Sequence, residues 1–307
     1  MESLKESLKK TGLLTTINNN LEKSFNVALK NEEFKEFVKK LKLDKTVLMK
    51  YTSTLEKSCE EYGNCKNCKN LLECKNPVHG YAYLPTHHDG KLNFGYKACK
   101  YQNKMLKDTA HLKKITLYQT PEGFLNANIK SIYTNDAARL EAIKWITDFI
   151  KKYPDVKKGL YLHGSFGCGK SYIITSMLIE LAKKNVRSTI IFWPEFLRNI
   201  KQLFGYNDEL EQVINQVKNT PILFIDDIGA ENLTAWARDE ILSTILDYRM
   251  NNGYITCFTS NLTLEELEVH LSKTKDGIEI VKARRVMERI KQMTDDIQLI
   301  SKNLRNK

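Results

Sequence analysis

Residues 159–171 read GLYLHGSFGCGKS, a short apolar run followed by the spacing G-x-x-x-x-G-K-S, and a helical stretch from Tyr172 to Ala182 comes next. The glycines let the backbone curl so that its N–H groups face phosphate oxygens, and the positive end of the following helix adds to the attraction. Lys170 should reach the β- and γ-phosphates of ATP, and Ser171 should bind Mg²⁺. The pattern predicts an ATP-binding loop made of Gly164, Ser165, Phe166, Gly167, Cys168, Gly169, Lys170, Ser171 and Tyr172.

Acidic residues follow a second apolar run, at residues 221–225, which ends in Asp226 and Asp227. In P-loop ATPases an aspartate at such a strand end holds Mg²⁺, which predicts that role for Asp226. Asp227 is the candidate base that activates water, and Glu231 is the alternative. An aspartate is one methylene shorter than the glutamate often used, so we expect hydrolysis that is slow or that needs a partner. A third apolar run ends near Asn261, which can orient the attacking water.

From residue 131 onward, apolar runs that suit strands alternate with helical periodicity. Asn135 or Asp136 can cap a helix that runs to about Lys152. Strand–helix alternation predicts an α/β fold in which helices cover both faces of a parallel sheet. The candidate strands are Gly159–His163, Thr189–Trp193, Ile222–Asp226, Ile255–Thr259 and Ile297–Ile300.

The N-terminal part has a different rhythm. Residues 1–60 repeat apolar positions at three- and four-residue steps, which predicts helices, and residues 63–101 are short, turn-rich pieces. Residues 104–130 have no strong periodicity and are expected to join the halves, although some apolar residues there (Ile115, Leu117, Tyr118 and Phe124) could pack onto either one. The predicted domains are residues 1–107, a linker at 108–130 and an ATPase domain at 131–307.

Cysteines cluster in the N-terminal part: five of the seven lie within residues 59–99. Thiols stay reduced in the cytosol, so clustering there indicates a metal site. A C-x-x-C turn brings two thiolates to one tetrahedral zinc ion. The predicted ligands are Cys65, Cys68, Cys74 and Cys99, with His79, His87 or His88 able to replace one of them. The alternative is that the cysteines are reduced and buried, as we expect for Cys59, Cys168 and Cys257.

Charge and hydropathy limit the cellular locations and the partners that suit the chain. The first ten residues, MESLKESLKK, are too charged for a signal peptide, and no run of about 18 apolar residues could span a membrane. These features predict a cytoplasmic protein without a membrane partner. Residues 1–107 hold 20 lysines, no arginine and 12 acidic residues, a net charge of +8 out of +11 for the whole chain. Such an excess suits nucleic acid or an acidic protein surface, or it reflects solvated lysine-rich faces.

Two arginines near the C-terminus, Arg285 and Arg289, are four residues apart and share one helical face. An arginine donated across a subunit boundary can stabilise transition-state charge on phosphate. A solvated position on the surface is the alternative for both.

Several motifs together resemble the bacterial helicase loaders of the DnaI and DnaC family, which are AAA+ ATPases. They are the P-loop, residues 226–231 (DDIGAE), residues 258–261 (FTSN) and residues 285–289 (RVMER). Residues 236–250 and the cysteine-bearing N-terminal half extend the resemblance over nearly the whole chain. The resemblance implies that residues 1–107 bind the ring of the replicative DnaB-type helicase. It also implies delivery of that helicase onto single-stranded DNA in replication initiation and restart, and self-association through the AAA+ domain.

The resemblance also implies roles for individual residues. Arg285 matches the arginine that acts on a neighbouring subunit, and Arg289 matches the sensor-2-like position and should contact nucleotide. Only 18 residues follow Arg289, so we expect no helical lid, as in loaders. Residues 193–204 could form the extra, DNA-facing helix of initiators and loaders. The family ligates zinc through cysteines and a histidine, and Ala82 occupies the position where that histidine is expected.

Other hypotheses about the function are also compatible with this P-loop. A small-molecule kinase would need an acceptor pocket and an arginine-bearing lid, and neither is visible in the sequence. A nucleotide-gated adaptor with little turnover, or an ATPase related to the transposon-associated IstB proteins, is the alternative to a loader. The leading prediction is a weak ATPase that single-stranded DNA or assembly stimulates.

Overall fold

A computed structural model describes residues 13–88, 91–134, 136–203, 207–275 and 277–304. The side chains of residues 13–17, of His88 and of Asn207 are not described, and Asn135 and Phe204 also lie outside the described residues. The chain divides into two compact units, residues 1–109 (unit 1) and residues 110–307 (unit 2).

Unit 1 combines helices with a two-stranded antiparallel sheet. Its helices are α1 (Leu13–Ala28), α2 (Glu32–Lys40), α3 (Lys45–Leu48), α4 (Thr52–Asn67) and α5 (Lys100–Thr109), and its strands are β1 (Tyr81–His88) and β2 (Lys91–Ala98). Helix α2 begins where the side chain of Asn31 accepts hydrogen bonds from two backbone N–H groups, and two glutamates follow in its first turn. The helical prediction for residues 1–60 is confirmed over the described part.

The core of unit 1 forms where the apolar faces of these helices meet. The side chains of Phe25, Phe34, Phe37 and Val38 are buried, and the rings of Phe25 and Phe34 pack edge to face. Leu92 of β2 joins the same cluster. The hairpin is therefore attached to the helices through apolar contacts.

Unit 2 is built around a six-stranded parallel sheet. Its strands, in spatial order, are β10 (Thr294–Leu299), β4 (Gly159–Gly164), β7 (Ile255–Ser260), β6 (Ile222–Asp226), β5 (Ser188–Phe192) and β3 (Ile115–Tyr118). Its helices are α6 (Ala137–Lys152), α7 (Lys170–Lys183), α8 (Trp193–Gln202), α9 (Asn207–Asn219), α10 (Ser243–Asn251), α11 (Leu264–Ser272) and α12 (Ile280–Met293). A π-helical turn at Ala237–Leu242 precedes α10, and a short hairpin of β8 (Lys273–Thr274) and β9 (Gly277–Ile278) precedes α12. Asp136 caps α6 through a hydrogen bond from the backbone N–H of Ala138.

Alternate residues of the strands point to opposite faces of the sheet, as the period of two requires. Leu160, Leu162 and Phe224 belong to one buried cluster, whereas Tyr161 and Phe258 belong to the other. Helices α6 and α7 cover the first face, and α8 and α10–α12 contribute to the second. The prediction of an α/β fold with a parallel sheet between two helical layers is confirmed.

The prediction of a linker at residues 108–130 is wrong for most of that stretch. Strand β3 pairs in parallel with β5, and Ile115 and Ala127 are buried in the core of unit 2. A four-residue edge strand has too few alternating positions to stand out in the sequence, and it becomes a strand because β5 offers it backbone partners. Strand β10 also begins three residues before the predicted Ile297, since an edge strand can leave Asp295 and Asp296 exposed.

Two kinds of helix are absent from the described part of the chain, one that could span a membrane and one that follows β10. No described helix is long and apolar enough to cross a membrane. The described residues that follow β10, 300–304, contain no helix.

Candidate functional site

The predicted phosphate loop joins the carboxyl end of β4 to the first turn of α7. Gly164, Gly167 and Gly169 have positive φ angles of 140°, 69° and 93°. A Cβ atom added to Gly164 would lie 2.1 Å from the carbonyl oxygen of Leu299. Glycine is required there both for the backbone conformation and for the close approach of β10.

Lys170 is the first residue of α7, and its side chain turns back into the loop. Its Nζ donates to the carbonyl oxygens of Gly164 and Ser165, at 3.0 and 2.9 Å, and to Oδ1 of Asn261 at 2.8 Å. The residue is 8% exposed. A charged ammonium group is thus held at the loop by oxygen atoms, with its charge directed to where phosphate would bind.

Ser171 and Asp226 meet at the carboxyl end of the sheet. The Ser171 hydroxyl donates to Asp226 Oδ1 at 2.6 Å, and the Thr259 hydroxyl donates to the same oxygen at 2.5 Å. Burial raises the pKa of Asp226, while these two hydrogen bonds oppose the shift. A hydroxyl and a carboxylate oxygen are the hard ligands that Mg²⁺ prefers, so the residues present fit the ion. Thr259 was not among the predicted site residues, although it lies within the FTSN motif at residues 258–261.

Asp227 and Asn261 form a second pair beside the first. Asp227 has a φ of 59°, an uncommon conformation that aspartate tolerates better than most residues, and its backbone N–H bonds to Thr259 Oγ1 at 3.0 Å. Asn261 Nδ2 donates to Asp227 Oδ1 at 2.9 Å. Since Asn261 also accepts from Lys170, one amide connects the loop lysine to the candidate base.

Glu231, the alternative base, is directed elsewhere. Its carboxylate is buried, accepts from the backbone N–H of Gly229 at 2.8 Å and lies 3.1 Å from Nε2 of His270. It is not among the residues that line the cavity at the P-loop. The geometry therefore favours Asp227 over Glu231 as the residue that activates water.

A cavity of about 1030 Å³ contains the predicted site. Its polar lining includes Lys170, Ser171, Asp226, Asp227 and Asn261, together with Phe166, Gly167, Gly169 and Tyr172 of the predicted loop. The rest of the lining was missed. It comes from the expected linker and its continuation, from Arg139 and Leu304, and from Ile173, Thr175, Phe192, Glu195 and Thr259. The missed apolar wall consists of Phe124, Ala127, Ile132 and Tyr133 with Leu304. Cys168 is buried beneath the loop.

The two C-terminal arginines lie outside this cavity, on α12. Arg285 is exposed, and among the described residues it has neither an ion pair nor a hydrogen-bond partner. Arg289 pairs with Asp247 and donates to the Ser243 hydroxyl at 3.1 Å. The structure thus does not bring Arg289 to the P-loop of its own subunit. Its contacts are with α10.

The four predicted zinc ligands surround one cavity of about 400 Å³ in unit 1, which Ala82 also lines. Three of the cysteine sulfur atoms accept hydrogen bonds. Asn76 Nδ2 donates to Cys65 at 3.4 Å, the Gly80 N–H donates to Cys74 at 3.3 Å, and the Gln102 N–H donates to Cys99 at 3.4 Å. Such donors favour thiolates, whereas burial raises the pKa of the Cys65 thiol despite the hydrogen bond from Asn76. The described residues nevertheless contain no group of three or more His, Cys, Asp or Glu side chains that could hold a metal ion as they stand.

The remaining predicted candidates lie outside this arrangement. His79 and His87 are exposed and do not line the cysteine cavity, and the side chain of His88 is not described. Cys257 is buried, as expected, and burial raises the pKa of its thiol to about 12. Cys59 is half-buried.

Comparisons with known proteins agree with this arrangement. The model of the family described as AFG1-like ATPase matches residues 100–295. The replicative helicase loader DnaI of Bacillus subtilis (strain 168) is 32% identical over 311 aligned residues, which cover 100% of each chain. The chain belongs to the DnaI family of replicative helicase loaders. The family identified by resemblance in the sequence is therefore confirmed.

Solved structures of the DnaI family and of a relative share the fold. The crystal structure of DnaI matches with a TM-score of 0.56 and 36% identity, covering 64% of this chain and 99% of that one. The crystal structure of the DnaC helicase loader matches with a TM-score of 0.50 and 26% identity, covering 59% and 100%. As a member of an ATPase family, the chain is a P-loop ATPase, which implies that it binds nucleotide.

Proposed function

We propose that this protein is an ATP-dependent loader that binds a replicative DnaB-type helicase and delivers it onto single-stranded DNA. The observation that carries the proposal is the end-to-end match to a replicative helicase loader. A P-loop alone is compatible with many ATPases, whereas the match spans both unit 1 and unit 2. The convergence of Lys170, Ser171 and Asp226 at one cavity supports the ATP dependence.

In the proposed reaction the loop amides and Lys170 hold the phosphates, while Ser171 and Asp226 hold Mg²⁺. When bound, Mg²⁺ would supply positive charge that offsets the negative charge of the phosphates. Asp227 accepts a hydrogen bond from Asn261 and can take a proton from the attacking water. Its carboxylate is one methylene shorter than a glutamate, which supports weak turnover by the isolated chain.

Self-association through unit 2 would complete the site. Arg285 is exposed and lies outside the cavity of its own chain, so its guanidinium is available to a neighbouring subunit. Arginine fingers of this kind are worth roughly a thousandfold or more in other phosphoryl-transfer systems. We propose that assembly supplies Arg285 to the nucleotide of the next subunit.

Single-stranded DNA is the proposed nucleic acid onto which the helicase is delivered. It is also proposed to stimulate ATP hydrolysis. Helix α8 buries its apolar face through Trp193, Phe196 and Ile200, while Arg198 and Lys201 are exposed on the other side. Cationic side chains attract the phosphate backbone and make binding depend on salt. ATP turnover measured with and without single-stranded DNA tests this part, and equal rates at low salt would contradict it.

Unit 1 is the proposed helicase-binding part, with zinc as its structural metal. The four cysteines around one cavity and their hydrogen-bond donors support a Cys₄ site. The net charge of +8 over residues 1–107 favours an acidic partner surface.

The experiment that tests the proposal is co-purification with the replicative helicase of the same organism, with and without ATP. We expect a complex with the helicase in both conditions, because unit 1 makes the contact. The composition of that complex should change when ATP is added. A chain that never retains the helicase would contradict the proposal.

A further inference from the structure

The described end of the chain runs along the P-loop after β10. The backbone N–H of Ser165 donates to the carbonyl oxygen of Leu299 at 3.2 Å. Five residues later the backbone N–H of Leu304 donates to the carbonyl oxygen of Gly167 at 2.9 Å. Residues 301–304, which we name the tail, are therefore hydrogen-bonded to the loop that should hold the phosphates.

The side chains of the tail reach the loop as well. A Cβ atom added to Gly167 would lie 2.1 Å from Oδ1 of Asn303, so the absence of a side chain at Gly167 leaves room for Asn303. A Cβ atom added to Gly169 would have Leu304 Cδ1 as its neighbour, at 3.9 Å. Two glycines of the loop thus face the tail in addition to having positive φ angles.

One buried arginine fastens the tail to the loop. Arg139 is 2% exposed, and its Nη2 donates to the carbonyl oxygen of Cys168 at 2.7 Å and to the Ser301 hydroxyl at 3.0 Å. Its Nε donates to the same hydroxyl at 3.2 Å. A buried, charged donor bound to both partners makes their separation costly.

Leu304 also lines the cavity that contains Lys170, beside the apolar residues Phe124, Ala127 and Ile132. We infer that the tail is a wall of the nucleotide site and that Leu304 contacts the base or ribose of the bound nucleotide. This inference rests on the proposed ATP binding. Bound nucleotide in turn stabilises the tail, because such coupling is reciprocal.

One substitution within the tail and one just before it test the inference in the full-length chain. In Leu304→Asp a charged carboxylate replaces the apolar contact with the base or ribose, so we expect ATP to bind about tenfold more weakly in calorimetric titration with Mg²⁺. The matched control is Ile300→Asp, which places the same charge at a residue 62% exposed and outside the cavity lining. The control should bind within about twofold of the wild type.

Hydrogen exchange gives an independent readout. The amide of Leu304 should exchange more slowly when ATP is present, in the wild type and in Ile300→Asp. Equal ATP affinities for Leu304→Asp and Ile300→Asp, with exchange at Leu304 unaffected by ATP, would overturn the inference. A wild-type chain that binds no ATP at all would instead contradict the proposed function.

Discussion

Replacing Asp226 with asparagine should stabilise the nucleotide-free protein and abolish Mg²⁺-dependent ATP hydrolysis. Asp226 is 3% exposed, and burial is the main reason why its pKa is raised. The hydroxyls of Ser171 and Thr259 both donate to its Oδ1, and an amide oxygen can accept the same two hydrogen bonds. The substitution therefore removes the cost of burying a charge while it keeps the local contacts.

The expected gain in the free energy of unfolding is about 1 kcal/mol, which is typical of a single stabilising substitution. For a unit of this size it corresponds to roughly 2–4 °C in Tm. Because the folded-state pKa is raised, the folded protein binds this proton more tightly than the unfolded chain does. The wild type thus loses stability as pH rises from the ordinary aspartate pKa through the folded value. The advantage of the variant should be present at pH 7 and should shrink toward pH 4.

Thermal unfolding in EDTA at both pH values, followed by ATPase assays with Mg²⁺, makes the test. Asp227→Asn is the matched control, since it changes the neighbouring, less buried carboxylate at a φ that asparagine also tolerates. It should lose hydrolysis, keep ATP binding and show no comparable gain in Tm. An Asp226→Asn protein that is less stable than the wild type at pH 7, or that still hydrolyses ATP, would refute the reasoning.

Three further outcomes are expected. Lys170→Ala should lose ATP binding in calorimetric titration while its circular dichroism stays native, because its charge is directed to the site and not to the core; normal binding would remove the P-loop assignment. Metal analysis should find about one zinc ion per chain, and this zinc should be lost when Cys65 and Cys68 are both replaced by serine. Native protein that contains no zinc would exclude the site. Arg285→Ala should leave ATP affinity of the monomer unchanged and lower hydrolysis, and mixing it with Lys170→Ala should restore activity at mixed interfaces. Failure to recover activity would place Arg285 on the bare surface.

The sequence predicts the phosphate site well, because its features are local. The glycines at 164, 167 and 169 lie within a few residues of Lys170, and the acids follow directly after the apolar run of β6, so each motif can be identified by itself. The parallel sheet then brings the two motifs together at its carboxyl edge. The tail could not be found this way. Its contacts, such as Arg139 with Ser301, join residues 162 positions apart and depend on backbone approach.

The role of Glu231 was equally hidden. Its spacing from Asp227 leaves it available as a base, and only the fold pairs it with His270, 39 positions away. The edge strand β3 was missed for a related reason, since four residues carry too little periodicity and their pairing with β5 decides their structure. Motifs formed by neighbouring residues could therefore be predicted from the sequence, whereas contacts between residues far apart in the chain could not.

The most direct test of the central claim is helicase loading onto circular single-stranded DNA, which has no free end for a ring to thread. The replicative helicase of the same organism would be mixed with this protein and ATP, and strand displacement on the circle would be recorded. We predict displacement with the wild-type chain and ATP, and little with Lys170→Ala or without ATP. Equal displacement in the absence of this protein, or with the Lys170→Ala chain, would contradict the account.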